Sequence, residues 1–182
     1  RALSHSWQHS KADVVSYMDV DLSTDLEFFP QIINPVLQKE CDLCIGSRLL
    51  RPEWTRRGLK REVISRGYNL LLQGWFQAQF KDAQCGFKAI SRCACDSLVP
   101  RIQDCHWFFD TELLLLAQHE SFKIKEIPVK WVDDQDSRVK ILKTAIEDLR
   151  GCYRLWKEFR KRDRGNKTLR NATRRILANA IL

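Results

Sequence analysis

The chain has 182 residues and a formal net charge of +8, with 44% hydrophobic and 30% charged residues. This suits one globular domain that buries roughly 70% of its unfolded surface. The charge excess is local: residues 150–175 hold 11 Lys/Arg against Glu158 and Asp163, a net of +9, so the other residues sum to −1. A near-neutral body with a basic tail argues against a general nucleic-acid binder, which spreads its charge along a face. The chain also lacks an apolar run of the ~18 residues that a complete transmembrane helix needs.

Read in order, the chain opens on Arg1-Ala2-Leu3 without an initiating Met, as if inside a helix reaching residue 10; a fragment or a trimmed product is expected. A strand is predicted over Asp13–Met18. It ends in Asp19-Val20-Asp21, followed by the polar turn Leu22-Ser23-Thr24-Asp25. In extended backbone residues i and i+2 point to the same side, so Asp19 and Asp21 converge just past the strand. Two hard oxygen donors suit Mg²⁺ or Mn²⁺ carrying a phosphate better than an all-protein cage. A solvated acidic turn is the plain alternative for an isolated D-x-D.

Asp25 is placed to cap a helix running to Lys39, with Pro30 tolerated near its start. Cys41–Ser47 reads as a second buried strand. Cys41-x-x-Cys44 and Cys93-x-Cys95 raise the question of zinc, but i and i+3 in a strand face opposite ways, and the histidines lack finger spacing. Buried free thiols are expected instead. Seven cysteines, an odd count, with no signal peptide fit a reducing compartment.

Arg51–Gly58 is a basic loop, and the spacing of Leu59, Val63, Leu70, Leu71, Phe76 and Phe80 predicts a long helix. Asp82–Ser91 reads as a loop entering a short strand, with a helix from Ser91 or Arg92 to Val99. Another helix covers Phe109–His119, with Asp110 and Glu112 near its favourable N-terminal end. Phe122–Val132 is expected as an edge strand, since proline is tolerated there. The acidic loop Asp133–Asp136 leads to a last helix over Val139–Arg160. Strands separated by helical patterns predict an α/β fold with a mostly parallel central sheet flanked by helices. Ligands in such sheets gather at the carboxyl ends of strands, where Asp19 and Asp21 sit.

Three further clusters carry chemistry. Residues 48–66 hold Arg48, Arg51, Arg56, Arg57, Lys60, Arg61 and Arg66 against Glu53 and Glu62, a net of +5. Arg61, Ser65 and Asn69 share one helix face. With Arg48, they form a candidate phosphate cradle, because the arginine fork matches phosphate oxygens; a solvated basic loop is the alternative. In Trp107-Phe108-Phe109-Asp110-Thr111-Glu112, the carboxylates are a catalytic base, an anchor for the metal site, or ordinary helix N-terminal acids. Ser137-Arg138-x-Lys140 is a candidate diphosphate clamp, or a surface loop.

Together these blocks resemble family 2 glycosyltransferases of GT-A fold, and most of all the dolichyl-phosphate (polyprenyl-phosphate) β-glucosyltransferases. The matching residues are Met-Asp-Val-Asp-Leu-Ser-Thr (18–24), Ile-Gly-Ser-Arg (45–48), Asp-Ala-Gln-Cys-Gly-Phe-Lys (82–88), Trp-Phe-Phe-Asp-Thr-Glu-Leu-Leu (107–114), Glu-Ile-Pro-Val-Lys-Trp (126–131) and Asp-Ser-Arg (136–138). The resemblance implies a GT-A-like (Rossmann-like) domain over residues 1–155, lacking its N-terminal third, and a basic tail over 156–182. It implies inverting transfer of a hexose, glucose by likeness, from UDP-glucose to a polyprenyl or dolichyl phosphate. Asp19 and Asp21 match the pair that holds Mg²⁺ or Mn²⁺ on the nucleotide diphosphate. Arg48, Arg61 and Ser65 match residues used around the lipid phosphate, and Asp82 and Gln84 a block lining the sugar site. Asp110 and Glu112 fall in a substrate-binding block. Ser137 and Arg138 fall in a donor-closing loop, where Asp136 replaces the family's glycine and Arg138 its lysine. Without the N-terminal third, the chain alone is expected neither to bind nucleotide well nor to turn over.

A lipid phosphate, with a second pKa near ~6, arrives already anionic, so the reaction needs arginines and a metal more than a strong base. The tail places Leu169, Thr173, Ile176, Leu177, Ala180 and Ile181 at helical spacing beside Arg170, Arg174 and Arg175. It is an amphipathic helix on an anionic membrane, the approach to a membrane span, or a solvated helix. The implied partners are a nucleotide-sugar, a lipid phosphate and a membrane surface at its cytoplasmic face, with no nucleic acid. Alternatives are a processive polysaccharide synthase, for which Gln135-x-x-Arg138 lacks the following tryptophan, a basic nucleic-acid-binding module, and an assembly fragment.

Overall fold

The computed structural model describes residues 2–56, 58–132 and 141–179, with the side chains of all of these except 56, 59–61, 141–143 and 166–179. Helix α1 (Ala2–His9) precedes strand β1 (Val14–Met18), helix α2 (Phe29–Leu37) and strand β2 (Leu43–Ser47). A short strand β3 (Thr55–Arg56) leads to helix α3 (Leu59–Phe76), strand β4 (Phe87–Ser91) and helix α4 (Arg92–Leu98). Helix α5 (Phe109–His119), strands β5 (Ile124–Pro128) and β6 (Trp131–Val132), and the long helix α6 (Ile141–Asn179) complete the order.

The central sheet runs β1-β4-β2-β5, and the α/β class with flanking helices is as expected. The sheet is mixed, however, rather than mostly parallel. β4 lies antiparallel to both β1 and β2, while β2 and β5 are parallel. The cause is where the 82–86 loop docks. Gly86 O accepts from Asp19 N at 2.8 Å, and the Asp82 carboxylate accepts from Arg48 N at 2.9 Å. The loop therefore sits on the carboxyl ends of β1 and β2, and a strand leaving it has to run back between them.

Side-chain alternation builds a core on each face of this sheet. Val15, Leu43, Ile45 and Ile90 join one cluster with Trp7, Leu72, Leu98 and Leu113–Ala117. Cys44, Phe87 and Ala89 join the other with Phe28, Ile32, Val36 and Val129 from the α2 side. Helix α5 is buried at Phe109 and at every residue from Thr111 to Ala117, the all-round burial of a helix enclosed by the sheet and other helices. α6 approaches so closely that a Cβ at Gly151 would lie 2.5 Å from the Phe108 ring.

Local chemistry explains most boundaries. Ser91 caps α4, its Oγ accepting from Ala94 N. Asp25 accepts from Glu27 N, but it starts a 3₁₀ turn (Leu26–Phe28) that passes into α2, which stops at Leu37 rather than Lys39. α3 stops at Phe76, short of Phe80, where Gln77 takes a left-handed backbone at φ 53°. The expected strand over 122–132 divides into β5 and β6; β6 pairs with β3 in a separate two-stranded ribbon. α6 runs unbroken across residue 155. All seven cysteines are free; five are buried, while Cys93 and Cys105 are exposed. Cys41 lies before β2 begins, so strand alternation does not separate it from Cys44, and both join the α2-side core.

Candidate active site

The carboxyl ends of β1 and β2, the 82–86 loop and the start of α5 meet at one place. Asp19 follows β1 directly, and Val20 beside it is 98% exposed; β1 ends at Met18 and Val20–Asp21 form a turn, so the extended i, i+2 alternation expected for Asp19 and Asp21 does not carry past the strand. Asp21 Oδ1 accepts from Ser23 N at 3.0 Å, forming an Asx turn. Leu22 N donates to Asp19 O at 3.2 Å, and Leu22 adopts a positive φ of 54°. The turn is then anchored to the β6 segment. Asp25 N donates to Lys130 O at 3.2 Å, Val132 N to Ser23 O at 2.9 Å, and Thr24 bridges Trp131.

Beneath Asp19, Tyr17 and Lys88 are cross-strand partners of β1 and β4. Lys88 is only 1% exposed. Its Nζ donates to Cys85 O at 2.5 Å, lies 3.3 Å from Asp110 Oδ1, and sits 5.8 Å from the Tyr17 ring centre. The Tyr17 hydroxyl donates to the same Asp110 oxygen. A buried ammonium needs such partners, and they satisfy it. Burial pushes the Asp19 carboxyl up to about 6, reinforced by Asp110 and Asp21 and opposed by Lys88 and Arg48. Burial and Asp110 likewise push the Tyr17 hydroxyl well up, so it stays a donor. Neither Tyr17 nor Lys88 stood out as a site residue in the sequence; the usable signal was a lysine inside the otherwise apolar strand pattern Phe87–Ile90.

The other expected site residues have more varied settings. Arg48 is locked onto Asp82: its Nε donates to Oδ2 at 2.8 Å and its Nη2 to Oδ1 at 2.7 Å. Burial would raise the Asp82 carboxyl, but the Arg48 charge and hydrogen bonds hold it below its ordinary range. Arg48 thus braces the loop through Asp82. Glu112 does not reach the cluster. It is buried and accepts both Arg154 Nη1 at 2.8 Å and Nη2 at 2.9 Å, as well as Asp104 N at 3.0 Å. This ties α5 to α6. Gln84 also turns to α6, its Nε2 donating to Asp148 Oδ2 at 2.9 Å.

Asn69 Oδ1 accepts from Ala83 N at 2.9 Å, fixing the loop to α3. Ser65 Oγ, one turn earlier, is buried without a hydrogen-bond partner. Arg61 lies in α3, but its side chain is outside the described residues, as are Ser137 and Arg138 and the tail side chains from 166 onward. Among the described residues, no three His, Cys, Asp or Glu side chains gather as an all-protein metal site. A cation at Asp19 and Asp21 would therefore need ligand oxygens as well, which fits Mg²⁺ or Mn²⁺ on a diphosphate. Also among the described residues, no helix is long and apolar enough to cross a membrane.

Asp148 behind Gln84 gives a stability test. It is 3% exposed and its Oδ1 has no partner; burial pushes its carboxyl up to about 6, from 3.8. A raised carboxyl favours the folded state when protonated, so its ionisation lowers stability as pH rises from 3.8 through about 6. Asp148→Asn is expected to stabilise the fold at pH ~8 by on the order of 2 kcal/mol. At pH ~4 the gain should nearly vanish, since the folded carboxyl is then protonated. Urea unfolding at both pH values checks this; an equal gain at both would show that ionisation is not the cause.

No protein-family model matches the chain. Among curated proteins, glycosyltransferase AglD of Haloferax volcanii is 34% identical over 163 residues, covering 90% of this chain and 26% of AglD. The dolichyl-phosphate beta-glucosyltransferase ALG5C of Trichomonas vaginalis is 32% identical over 149 residues, covering 76% of this chain and 44% of its own length. The dolichyl-phosphate beta-glucosyltransferase of Saccharomyces cerevisiae is 30% identical over 159 residues, covering 80% and 48%. The chain thus spans a quarter to a half of these relatives. Among solved structures, glucosyl-3-phosphoglycerate synthase of Mycobacterium tuberculosis, in complex with Mn²⁺ and UDP-glucose, superposes with a TM-score of 0.55 at 17% identity. It covers 83% of this chain and 52% of the synthase; at that identity the likeness is one of fold.

Proposed function

We propose that this chain, which belongs to the family 2 glycosyltransferases and is related to AglD and the dolichyl-phosphate beta-glucosyltransferases, transfers a hexose from a nucleotide-sugar to a lipid phosphate. UDP-glucose and a polyprenyl or dolichyl phosphate are the substrates in this reading. Its main support is the place of Asp19 at the end of β1, resting against Gly86 of the 82–86 loop, where burial first, and then the charges of Asp110 and Asp21, push its carboxyl up to about 6. Mg²⁺ or Mn²⁺, held by Asp19 and Asp21 on the diphosphate, would stabilise the charge of the departing nucleotide.

The remaining roles follow from the residues. Lys88 and Tyr17 hold Asp110 behind Asp19 and set the cluster's charge. Arg48 and Asp82 brace the 82–86 loop against which Asp19 rests. Ser65 Oγ, buried and without a partner, supports the acceptor reading, as a hydroxyl ready for a phosphate oxygen; Arg61 stands one turn before it on α3. Ser137 and Arg138 follow within six residues of Val132, which pairs with the D-x-D turn. At ~3.5 Å per residue, that span reaches a diphosphate over Asp19.

The acceptor phosphate oxygen attacks the anomeric carbon as the bond from that carbon to the diphosphate oxygen breaks. UDP leaves with the bonding electrons, and the configuration inverts in one displacement. No base has to deprotonate a nucleophile that is already anionic. Several UDP- and GDP-sugars should be offered with polyprenyl phosphate, with and without Mn²⁺ or Mg²⁺, to the protein that carries this chain. Metal-dependent transfer from UDP-glucose with inversion is expected. Asp19→Asn should abolish it, with a loss of on the order of a thousandfold. Retained configuration, or unchanged metal dependence in the variant, would reject the mechanism.

A further inference from the structure

We propose that Cys41 and Cys44 form a dithiol site that reacts with a low-molecular-weight disulfide and closes to an intrachain disulfide. In a straight strand these two positions would face opposite ways. Here Asp42 N and Leu43 N both donate to Lys123 O, at 2.9 and 3.0 Å. Two successive donors on one acceptor mark a bulge, which resets the alternation. Asp42 Oδ2 pins it by accepting from Lys123 N at 2.8 Å. Cys41 and Cys44 therefore share the α2-side core, while Leu43 between them joins the other one. The two thiols meet there, Cys44 donating a hydrogen bond to Cys41.

The pair is asymmetric. Cys41 lines an open cleft of about 800 Å³ together with Gln79, Gln118, Lys123 and Lys125, while Cys44 lies behind it with no exposure. The hydrogen bond from Cys44 lowers the Cys41 pKa against burial; Lys125 assists, and Asp42 and Glu40 oppose. The same contact, with burial, pushes the Cys44 thiol well up, so Cys41 is the attacking thiolate and Cys44 keeps its proton until Cys41 has reacted. The Cys41 thiolate attacks one sulfur of the small disulfide, forming a mixed disulfide and releasing one thiolate. Cys44 loses its proton to that thiolate, attacks the Cys41 sulfur and releases the second. Counting the proton that Cys41 gave up beforehand, two electrons and two protons leave the dithiol, and the small disulfide departs as two thiols. Cys85 shares this core but sits near the other end of β2, its Sγ 3.2 Å from the place of a Gly46 Cβ, and burial pushes its thiol up to about 12. The dithiol lies at the amino end of β2, which runs parallel to β1 across β4, so it is at the opposite end of the sheet from Asp19.

The test treats the reduced protein that carries this chain with glutathione disulfide, quenches at intervals, alkylates the remaining thiols and maps the peptides by mass spectrometry. A disulfide between Cys41 and Cys44 is expected in the folded protein, preceded by glutathione on Cys41. Cys44→Ala should stop at that mixed disulfide, and Cys41→Ala should leave Cys44 reduced. The order of events in the unaltered protein gives the same answer if either alanine variant fails to fold. Lys125→Met, at an exposed position, should slow the Cys41 step by about threefold, which thiols that only fill the core would not show. The exposed Cys93 and Cys105 should take glutathione without closing and serve as the reference for thiol access. Closure that occurs only in urea, glutathione on Cys44 ahead of Cys41, or a Cys41 mixed disulfide that never closes would each overturn the proposal.

Discussion

Replacing Asp82 by alanine is expected to cost about 3–5 kcal/mol of folding free energy, the range for removing one partner of a buried ion pair. The Asp82 side chain has no exposure, and that of Arg48 only 12%. Alanine would leave the guanidinium without its carboxylate partner beside the Trp131 ring, with the Arg48 backbone N–H also losing its acceptor. The 82–86 loop would keep its ties to Asn69 Oδ1 and Glu126 Oε1, so it should loosen rather than detach. Because Arg48 holds the folded Asp82 carboxyl below its ordinary 3.8, the pair's contribution is complete above that pH. It is lost as pH falls through the lower, folded value. Urea unfolding at pH ~7 should therefore show the full difference, narrowing only in acid. Arg48→Ala/Asp82→Ala should be less harmful than the sum of the single changes, since neither partner is left behind. A loss below ~1 kcal/mol in Asp82→Ala would mean that the pair does not brace the loop.

The parts of this arrangement that depend on neighbours in sequence were legible in the sequence. The apolar run ahead of Asp19 located β1, a short strand was legible within Asp82–Ser91, and Ser91 or Arg92 and the acidic first turn of Phe109–His119 marked the starts of α4 and α5. The direction of β4 was not legible, because a buried strand has the same residue pattern whichever way it runs. That direction comes from Asp82 and Gly86 docking on strands far away in sequence. The same limit applies to charge. Arg48 reads as a phosphate ligand until Asp82, 34 positions on, takes its fork, and Glu112 reads as a site acid until Arg154, 42 positions on, takes both its oxygens. Lys88 reads as surface in a strand, since the groups that satisfy it there, Cys85 O and Asp110, come together only in the fold.

Gly86→Ala is expected to disable Asp19 while leaving the fold in place. A Cβ on Gly86 would lie 2.0 Å from Asp19 Oδ2 and 2.1 Å from Cγ and Oδ1, far inside contact distance. Gly86 does not use a positive φ, so alanine suits the backbone and the conflict falls on the Asp19 carboxylate. That group ends a short side chain beside open solvent, and it can rotate away at little cost to stability. The site loses by that rotation, because a carboxylate turned away from the 85–86 turn no longer occupies the place it holds beside that turn, with Asp21 two residues on. Mn²⁺-dependent UDP-glucose binding by the protein that carries this chain should fall by on the order of a hundredfold, with melting shifted by only a few degrees. Asp19→Ala should fall by a similar factor, and Gly86→Ala/Asp19→Ala should be no worse than either alone, since both remove one group from one position. Additive losses would mean that Gly86 acts by some route other than Asp19. Unaltered binding in Gly86→Ala would mean that the carboxylate does not work from the place where it rests against the turn.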